Sequence, residues 1–142
     1  MNFIHEFECV DPFGNTNRFK YSKELSEDGD FEKVIYRVIP ADTDTNDWFE
    51  FSVAKIDDTT GKVSSMNNNK VPELRGKGIT EKLIELAASE LGLHIISSSN
   101  KLSSKKLETE WRSIDASRVW DRLVQQNKAN YDSELDVYSY CP

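Results

Sequence analysis

The sequence predicts an α+β fold in which a central, mostly antiparallel mixed sheet is flanked by helices. Three observations support this prediction. Apolar and polar residues alternate in the first half of the chain, an amphipathic helix follows a glycine-containing turn at 76–78, and short apolar strands then alternate with further helical stripes. A length of 142 residues suits one domain, 1–142, with a single core.

Composition narrows the classes of function. The formal net charge is −7, whereas nucleic-acid binders normally present a basic face, so no nucleic-acid partner is expected. No apolar run approaches the roughly 20 residues of a membrane span, and residues 1–10 lack a signal-peptide pattern. We therefore expect a cytoplasmic protein without a membrane partner, in which Cys9 and Cys141 are reduced thiols. The sequence does not determine whether the protein is a monomer or a homodimer. Neither cysteine has a CxxC partner, so no metal site is expected.

The strands of the first half are predicted from alternation. Residues 3–9 and 19–21 form two alternating segments around a turn sequence at 11–15, which predicts a hairpin. The strands and the tight turn that follow are predicted at 31–39 (strand), 48–56 (strand), 57–61 (turn) and 62–71 (strand). Three consecutive asparagines give the last of these strands a poor β propensity.

The clearest helix spans 79–91. Its apolar residues recur at helical spacing on one face, namely Ile79, Leu83, Leu86, Ala87 and Leu91. Gly92 stands where a C-terminal cap glycine is expected. A short buried strand follows at 94–97.

The last third of the chain carries two apolar stripes about half a turn apart. One stripe contains Leu107, Trp111 and Ile114, and the other contains Ala116, Val119, Trp120 and Leu123. One straight helix would have to bury both sides, so we predict two helices broken near 113–115, with Asp115 as the N-cap of the second. A loop at 131–133 and a closing strand at 135–140 complete the predicted elements.

The most informative stretch runs from 71 to 91. Gly76 and Gly78 let the backbone approach a ligand closely, and the helix after them offers N–H groups without internal partners. Arg75 and Lys77 add positive charge, so a phosphate or pyrophosphate is the expected ligand. The spacing matches neither a P-loop nor a dinucleotide-binding fingerprint, which needs a third glycine. A basic turn before an ordinary surface helix is the alternative.

The segment Glu73-Leu74-Arg75-Gly76-Lys77-Gly78 resembles the acetyl-CoA pyrophosphate loop of the GNAT N-acetyltransferase superfamily. That loop usually reads Gln/Arg-x-x-Gly-x-Gly/Ala between a strand and a helix, and Glu73 departs from its first position. The resemblance implies a GNAT-like acyl-CoA N-acyltransferase fold, acetyl-CoA as co-substrate and an amine as acceptor. In the superfamily the strand after this helix splays from its neighbour, and the gap admits the pantetheine. The superfamily usually opens with a helical pair and often has two closing strands, which this sequence does not predict.

The resemblance also implies a set of cofactor contacts. Backbone N–H groups of the loop and first helical turn would hold the pyrophosphate, and the strand before the loop would pair with the pantetheine amides. The implied residues are Asn69, Val71, Arg75, Gly76, Lys77, Gly78, Ile79, Thr80 and Asn100. For Asn100 the alternative is a plain polar loop that caps a strand.

Catalysis would need a base for the attacking ammonium and an acid for the leaving thiolate. The strand before the glycine loop carries no carboxylate, so Glu50 on the preceding strand is the candidate base, with a solvent-facing strand residue as the alternative. The usual acid is a Tyr in a pattern matched here by Ser113-x-x-Ala116-x-x-x-Trp120, and an indole cannot protonate a thiolate. Tyr138 is a candidate by residue type only, as are Tyr131 and Tyr140, and the catalytic residues stay unassigned.

Two main hypotheses follow. The first is an acetyl-CoA-dependent N-acetyltransferase that transfers directly to an amine, since direct transfer can proceed without a Tyr acid when the thiolate is readily solvated. The acidic chain would suit a cationic acceptor. The second is a non-catalytic GNAT-fold protein that binds CoA or a protein partner, which the missing Tyr and strand carboxylate favour. An interaction module without a ligand is a more remote third reading.

Overall fold

The computed structural model describes residues 3–11, 13–27, 31–42, 47–67, 78–101 and 112–140. In chain order its elements are β1 His5–Val10, β2 Thr16–Ser26, β3 Glu32–Pro40, β4 Phe49–Lys55, β5 Thr60–Asn67, α1 Ile79–Leu91, β6 His94–Ile96, α2 Ile114–Gln125, β7 Ala129–Asp132 and β8 Val137–Tyr140. They form an α+β fold with a mixed eight-stranded sheet, which confirms the predicted class at that level.

The strands lie in the order β1-β2-β3-β4-β5-β6-β8-β7. Neighbouring strands are antiparallel except β5 and β6, which run parallel because the chain passes through α1 between them. The last two strands form a hairpin, and β8 lies between β6 and β7. The sheet is therefore mostly antiparallel and mixed, as predicted.

One hydrophobic core joins the sheet to both helices. Alternate residues of the first four strands face this core, among them Phe7, Tyr21, Tyr36 and Phe51. The rings of successive members of this row lie 5.6, 5.9 and 6.1 Å apart between centroids. Aromatic pairs at such distances add about 0.5–1.5 kcal/mol each beyond their burial. The row crosses four strands, so a one-residue slip of any of them would move a ring out of the core.

The helix α1 has the predicted bounds, but its buried face differs from the prediction. Gly92 ends the helix with φ of 65° and donates its N–H to Ala88 O, as a C-terminal cap should. Ile84 and Ala88 are fully buried, whereas Leu86 and Leu91 are only partly buried. The buried face is therefore shifted around the helix relative to the predicted stripe, and α1 also contacts α2, which the sequence pattern of α1 alone does not show.

The helix α2 begins two residues earlier than predicted. Its N-cap is Ser113, whose hydroxyl accepts the N–H of Ala116 at 3.0 Å, so the prediction of Asp115 as N-cap is wrong. Asp115 lies in the first turn instead, where its charge suits the helix dipole. The helix predicted before the break falls in 102–111, outside the described residues. Within α2 the predicted stripe of Ala116, Val119, Trp120 and Leu123 is buried.

Two predicted turns are also wrong. Thr60 and Gly61 belong to β5 rather than to the preceding turn, and a Cβ on Gly61 would lie 2.6 Å from Val53 Cγ1. This glycine is therefore required by close packing of neighbouring strands. Most of the loop predicted at 131–133 belongs to β7, which the polar composition of an edge strand concealed.

Candidate functional site

The neighbouring strands β5 and β6 pair over a short distance and then part. Their pairs are Thr60 with His94, Gly61 with Ile95 and Lys62 with Ile96. Beyond this point β5 stays paired to β4 as far as Asn67, whereas Ser97 donates its N–H to Tyr138 O on β8 at 2.9 Å. The two parallel strands therefore diverge toward the carboxyl end of β5, where ligands of open α/β sheets commonly bind.

A β-bulge in β5 accompanies the divergence. Ser52 pairs with Ser65 and Val53 pairs with Val63, so Ser64 is the extra residue. The Ser52 hydroxyl lies 2.7 Å from Ser64 Oγ and 2.6 Å from Ser65 Oγ. A bulge bends its strand and increases its twist. It therefore helps to turn the end of β5 away from β6.

The divergence opens a cavity of about 180 Å³, which we call the strand-gap cavity. Its lining comes from β5, from the chain after β6 and from the start of α2. The lining residues are Val63, Ser64, Ser65, Met66, Ser98, Arg112, Ser113, Ala116 and Trp120. Ser98 bridges the narrow end, since its hydroxyl donates to Val63 O at 2.8 Å.

Arg112 forms a buried part of this wall. It is 9% exposed, and its guanidinium donates to Ser98 O, Ser117 Oγ, and both Asp136 O and Asp136 Oδ1 at 2.6 to 3.0 Å. The guanidinium carbon also lies 5.0 Å from the centroid of the Tyr138 ring. Arg112 thus joins the chain after β6, the first turn of α2 and the β7–β8 turn, where β6 no longer pairs with β5.

Asn100, a predicted cofactor contact, lies in the same cluster. Its side-chain oxygen accepts the N–H of Arg112 at 2.7 Å, and its side-chain nitrogen donates to Arg112 O at 3.1 Å. Its own N–H donates to Asp136 Oδ2 at 2.9 Å. Burial raises the pKa of Asp136, but hydrogen bonds from Arg112, Asn100 and Tyr131 outweigh it and leave that pKa below its usual range. Asn100 therefore holds the cavity wall together through Arg112.

A second depression, which we call the helix cleft, has a volume of about 670 Å³ at the N-terminus of α1. It is lined by Glu8, Cys9, Val10, Asp11, Gly78, Glu81, Lys82, Glu85, Arg122, Gln126 and Lys128. Gly78 is the N-cap residue and has a left-handed φ of 75°. The first N–H groups of a helix have no intrahelical partner, and in the described part of the chain no side chain caps this end of α1.

Cys9 lies beneath this helix end. Its thiol is 3.7 Å from Gly78 O, and burial raises the pKa of the thiol to about 11. A thiol that is protonated at neutral pH and only 6% exposed is a poor nucleophile. Cys9 therefore supports the loop end of α1 by packing.

The predicted cofactor residues divide into two groups. Asn69, Val71, Arg75, Gly76 and Lys77 lie outside the described residues. Gly78, Ile79 and Thr80 are the N-cap and first two residues of α1, so they hold the position that an anion site needs.

Glu50, the candidate base, forms an ion pair. Its Oε1 lies 3.5 Å from Nε of Arg37, whose Nη1 also contacts Glu24 on β2. Glu50 pairs with Asn67 at the end of β5, and it is not one of the residues that line the strand-gap cavity. The structure therefore does not bring Glu50 into the cavity wall.

Tyr138, the candidate acid, lies behind the wall. Its hydroxyl donates to Asp121 Oδ1 at 2.5 Å, and burial together with this bond raises its pKa to about 12. Its ring stacks on Trp120 with centroids 5.9 Å apart. Trp120, which does line the cavity, is therefore interposed between Tyr138 and the gap.

Sequence analysis missed two buried charged residues at the gap. Arg112 had no signal except its position beside Ser113, because its partners other than Ser117 come from segments 12 to 24 residues away in sequence. Lys62 is 1% exposed and forms the last pair before the strands part. The alternation of β5 could have indicated that Lys62 lies in a strand, but not that its face is buried.

The described ranges contain no group of three His, Cys, Asp or Glu side chains suited to hold a metal ion. Neither α1 nor α2 is long and apolar enough to cross a membrane. No family model, curated protein or solved structure matches this chain. Its function has therefore to be inferred from its own residues.

Proposed function

We propose that this chain is a GNAT-type N-acyltransferase that binds acetyl-CoA and transfers the acyl group to an amine. The observation that carries the proposal is the parting of β5 from β6 beside the strand-gap cavity. In the GNAT superfamily a gap between the strand that enters the glycine loop and the strand after its helix admits the pantetheine. Here β5 and β6 occupy these two positions in the chain order.

Connectivity supports the same proposal. After α1 and β6 the chain passes through α2 and then through two closing strands, of which β8 lies next to β6. The second closing strand brings this end of the chain closer to the superfamily pattern than the sequence predicted. The other end differs, because β1 and β2 form a direct hairpin where the superfamily usually has a helical pair.

CoA would then extend across two parts of the site. Its pyrophosphate would lie against the glycine loop and the uncapped N-terminus of α1, where unpaired N–H groups and the helix dipole favour an anion. Its pantetheine amides would pair with the edge of β5 that β6 leaves, near Val63 to Met66. The thioester end would reach the strand-gap cavity.

Transfer would form a C–N bond at the thioester carbonyl while the C–S bond breaks and CoA leaves as a thiolate. Among the described residues that line the cavity there is no Asp, Glu, His, Cys or Tyr. Proton transfer would therefore pass through water, which takes the proton from the attacking ammonium and gives one to the thiolate. The hydroxyls of Ser64, Ser65 and Ser98 give such water polar partners.

The same lining favours a second candidate function, a non-catalytic protein that binds CoA. Trp120 stands where the superfamily usually has its acidic Tyr, and the hydroxyl of Tyr138 is held by Asp121. A cofactor site without an acid or base would bind CoA and leave the thioester intact. Binding and turnover therefore have to be measured separately.

The test is a calorimetric titration with acetyl-CoA, desulfo-CoA and 3′-phospho-ADP, followed by a thiol-release assay with polyamine and lysine-peptide acceptors. We expect micromolar binding of both CoA forms and weaker binding of the nucleotide, which lacks the pantetheine. Turnover with any amine would support the transferase, and binding without turnover across the panel would favour the non-catalytic candidate. No binding at millimolar CoA would contradict both.

A further inference from the structure

The lining of the strand-gap cavity is less exposed at its floor than at its mouth. Four lining residues are half-buried, namely Ser64, Ser65, Met66 and Ser113. Four more are 5 to 9% exposed, namely Val63, Ser98, Arg112 and Ala116. Trp120 is 1% exposed, the smallest value in this set. Trp120 is therefore the deepest of the described lining residues, and its ring forms the floor of the cavity.

The floor and the mouth differ in polarity. The side chains of Ala116 and Trp120 present mostly carbon atoms, whereas the mouth carries serine hydroxyls. The guanidinium of Arg112 is directed to other partners, because it forms a salt bridge to Asp136 at 2.6 Å and also donates to the hydroxyl oxygen of Tyr131. A carbon chain therefore suits the floor, and a thioester carbonyl suits the mouth.

The volume of the cavity sets a length for this chain. About 180 Å³ holds roughly six groups the size of a water molecule, at about 30 Å³ each. The sulfur, carbonyl carbon and carbonyl oxygen of a thioester take about three of these places. The rest hold about three further carbons, so an acyl group of about four carbons fills the cavity.

Trp120 has little freedom to move away from a longer chain. Its ring stacks on that of Tyr138 at an interplanar angle of 10°, with centroids 5.9 Å apart. Tyr138 is fixed in turn, because its hydroxyl donates to Asp121 and the Arg112 guanidinium carbon lies 5.0 Å from its ring centroid. Close-packed interiors resist the insertion of extra methylenes. A chain that reaches the floor therefore ends there.

On the basis of the proposed function, we propose that Trp120 determines the acyl specificity of this site and limits it to acyl groups of about two to four carbons. Each methylene up to that length gains burial against the floor. Each methylene beyond it has to displace Trp120 or force the thioester out of the gap, and either change weakens binding. The site therefore takes short-chain acyl-CoA and discriminates against medium-chain acyl-CoA.

The test is the affinity of the wild-type protein for acetyl-, butyryl-, hexanoyl- and octanoyl-CoA, measured by calorimetric titration. Affinity should rise from acetyl- to butyryl-CoA by up to about fourfold per methylene and then fall, so that octanoyl-CoA binds at least about tenfold more weakly than butyryl-CoA. An affinity that is flat or keeps rising to octanoyl-CoA would overturn the inference and leave the proposed function intact. Failure of every CoA form to bind would overturn both.

The variant Trp120→Phe tests whether this residue sets the limit. A smaller ring at the floor should move the tightest binding from butyryl- to hexanoyl-CoA, while the affinity for 3′-phospho-ADP, which lacks the acyl chain, stays unchanged. The matched control is Trp48→Phe. The guanidinium carbon of Arg37 lies 5.6 Å from the Trp48 ring centroid, and Trp48 is not one of the residues that line the cavity. This control should keep the wild-type maximum.

Two results would overturn the assignment to Trp120. One is a maximum that stays at butyryl-CoA in Trp120→Phe. The other is an equal loss of affinity for all thioesters and for 3′-phospho-ADP, which would show that the ring acts only through the fold. If Trp120→Phe does not fold, Trp120→Met replaces it in the same comparison, because methionine is apolar and adapts to irregular core sites.

Discussion

The antiparallel half of the sheet, β1 to β4, differs from the parting strands, β5 and β6, in the interactions that stabilise it. From β1 to β4, pairing is continuous, and a row of aromatic rings fills the core beneath it. Between β5 and β6 three residue pairs form within the described residues, and the chain after β6 is held by side chains that bond to backbone groups. The first region gains stability from packing, whereas the second gives up strand pairing and gains room for a ligand. Changes in the two regions should therefore have different effects.

The largest expected effect is in the antiparallel half. Phe51 is fully buried in the row of rings, so Phe51→Ala should lower the free energy of unfolding by about 3–5 kcal/mol. Denaturant unfolding would measure it, with Phe13→Ala as control because Phe13 is 88% exposed and should lose almost nothing. The folded fraction of Phe51→Ala should bind CoA normally. A small loss of stability, or a loss of CoA affinity in the folded fraction, would contradict the claim that this region contributes to stability and not to CoA binding.

The parting strands should respond through the cluster around Arg112. Asp136→Asn removes the negative charge beside the guanidinium and should cost roughly 1–3 kcal/mol at neutral pH, together with a loss of CoA affinity. The control is Asp115→Asn, since Asp115 pairs with Arg118 at an exposed surface and should change little.

The effect of Asp136 should depend on pH with a definite sign. Its folded-state pKa is lowered, so its carboxylate stabilises the protein fully above its ordinary pKa of 3.8. That stabilisation is lost as the pH falls through the lowered value. The stability difference between wild type and Asp136→Asn should therefore be constant from about pH 5 to 8 and shrink below about pH 4. A difference that grew on acidification would contradict this role.

Substitutions at two glycines with similar positive φ angles should separate an effect on stability from an effect on CoA binding. Gly78 at the start of α1 has φ of 75°, and Gly14 in the β1–β2 turn has φ of 83°. Alanine at either position should cost about 1–2 kcal/mol, because L-residues resist this conformation. Only Gly78→Ala should also weaken CoA binding, since it shifts the helix end that would hold the pyrophosphate. Equal CoA affinities in the two variants would show that the N-terminus of α1 does not contribute to CoA binding.

The smallest effect, and one of opposite sign, is expected from a buried hydroxyl. Tyr36 is fully buried, and its hydroxyl has no hydrogen-bond partner among the described residues. Tyr36→Phe should therefore be neutral or stabilise by up to about 1 kcal/mol. Tyr21→Phe is the matched change, because the Tyr21 hydroxyl donates to Glu90 at 2.8 Å, and it should lose about 0.5–1.5 kcal/mol. Thermal and denaturant unfolding of the pair would show whether Tyr36 behaves as a purely apolar ring.

The antiparallel half was also the more predictable from sequence. Alternation located β3 and β4 to within a residue or two, and the amphipathic pattern with Gly92 gave the bounds of α1. These signals are local, because the polarity of each residue there depends on whether it lies on the buried or the exposed face of its strand or helix. Ser113 was predicted to lie in the break before α2, with Asp115 as the N-cap, because a serine hydroxyl and a nearby aspartate carboxylate are both favoured at this position.

The parting strands were less predictable because their determinants are long-range. The sequence pointed to Asn100, but its role depends on Arg112, and both depend on Asp136. The closing strand was predicted to begin at 135, whereas β8 begins at Val137 and Asp136 lies in the turn before it. The bulge at Ser64 has no local signature, since it is defined by the pairing of β5 with β4. Hydrogen bonds of side chains between distant segments produce no periodic pattern in the sequence.

The most direct test is amide hydrogen exchange with and without saturating CoA. If CoA enters the gap, protection should rise in residues 63–66 and 97–100 and at the start of α1, while β1 to β4 exchange at unchanged rates. Protection confined to other surfaces, or a uniform increase over the whole chain, would contradict a ligand site between β5 and β6.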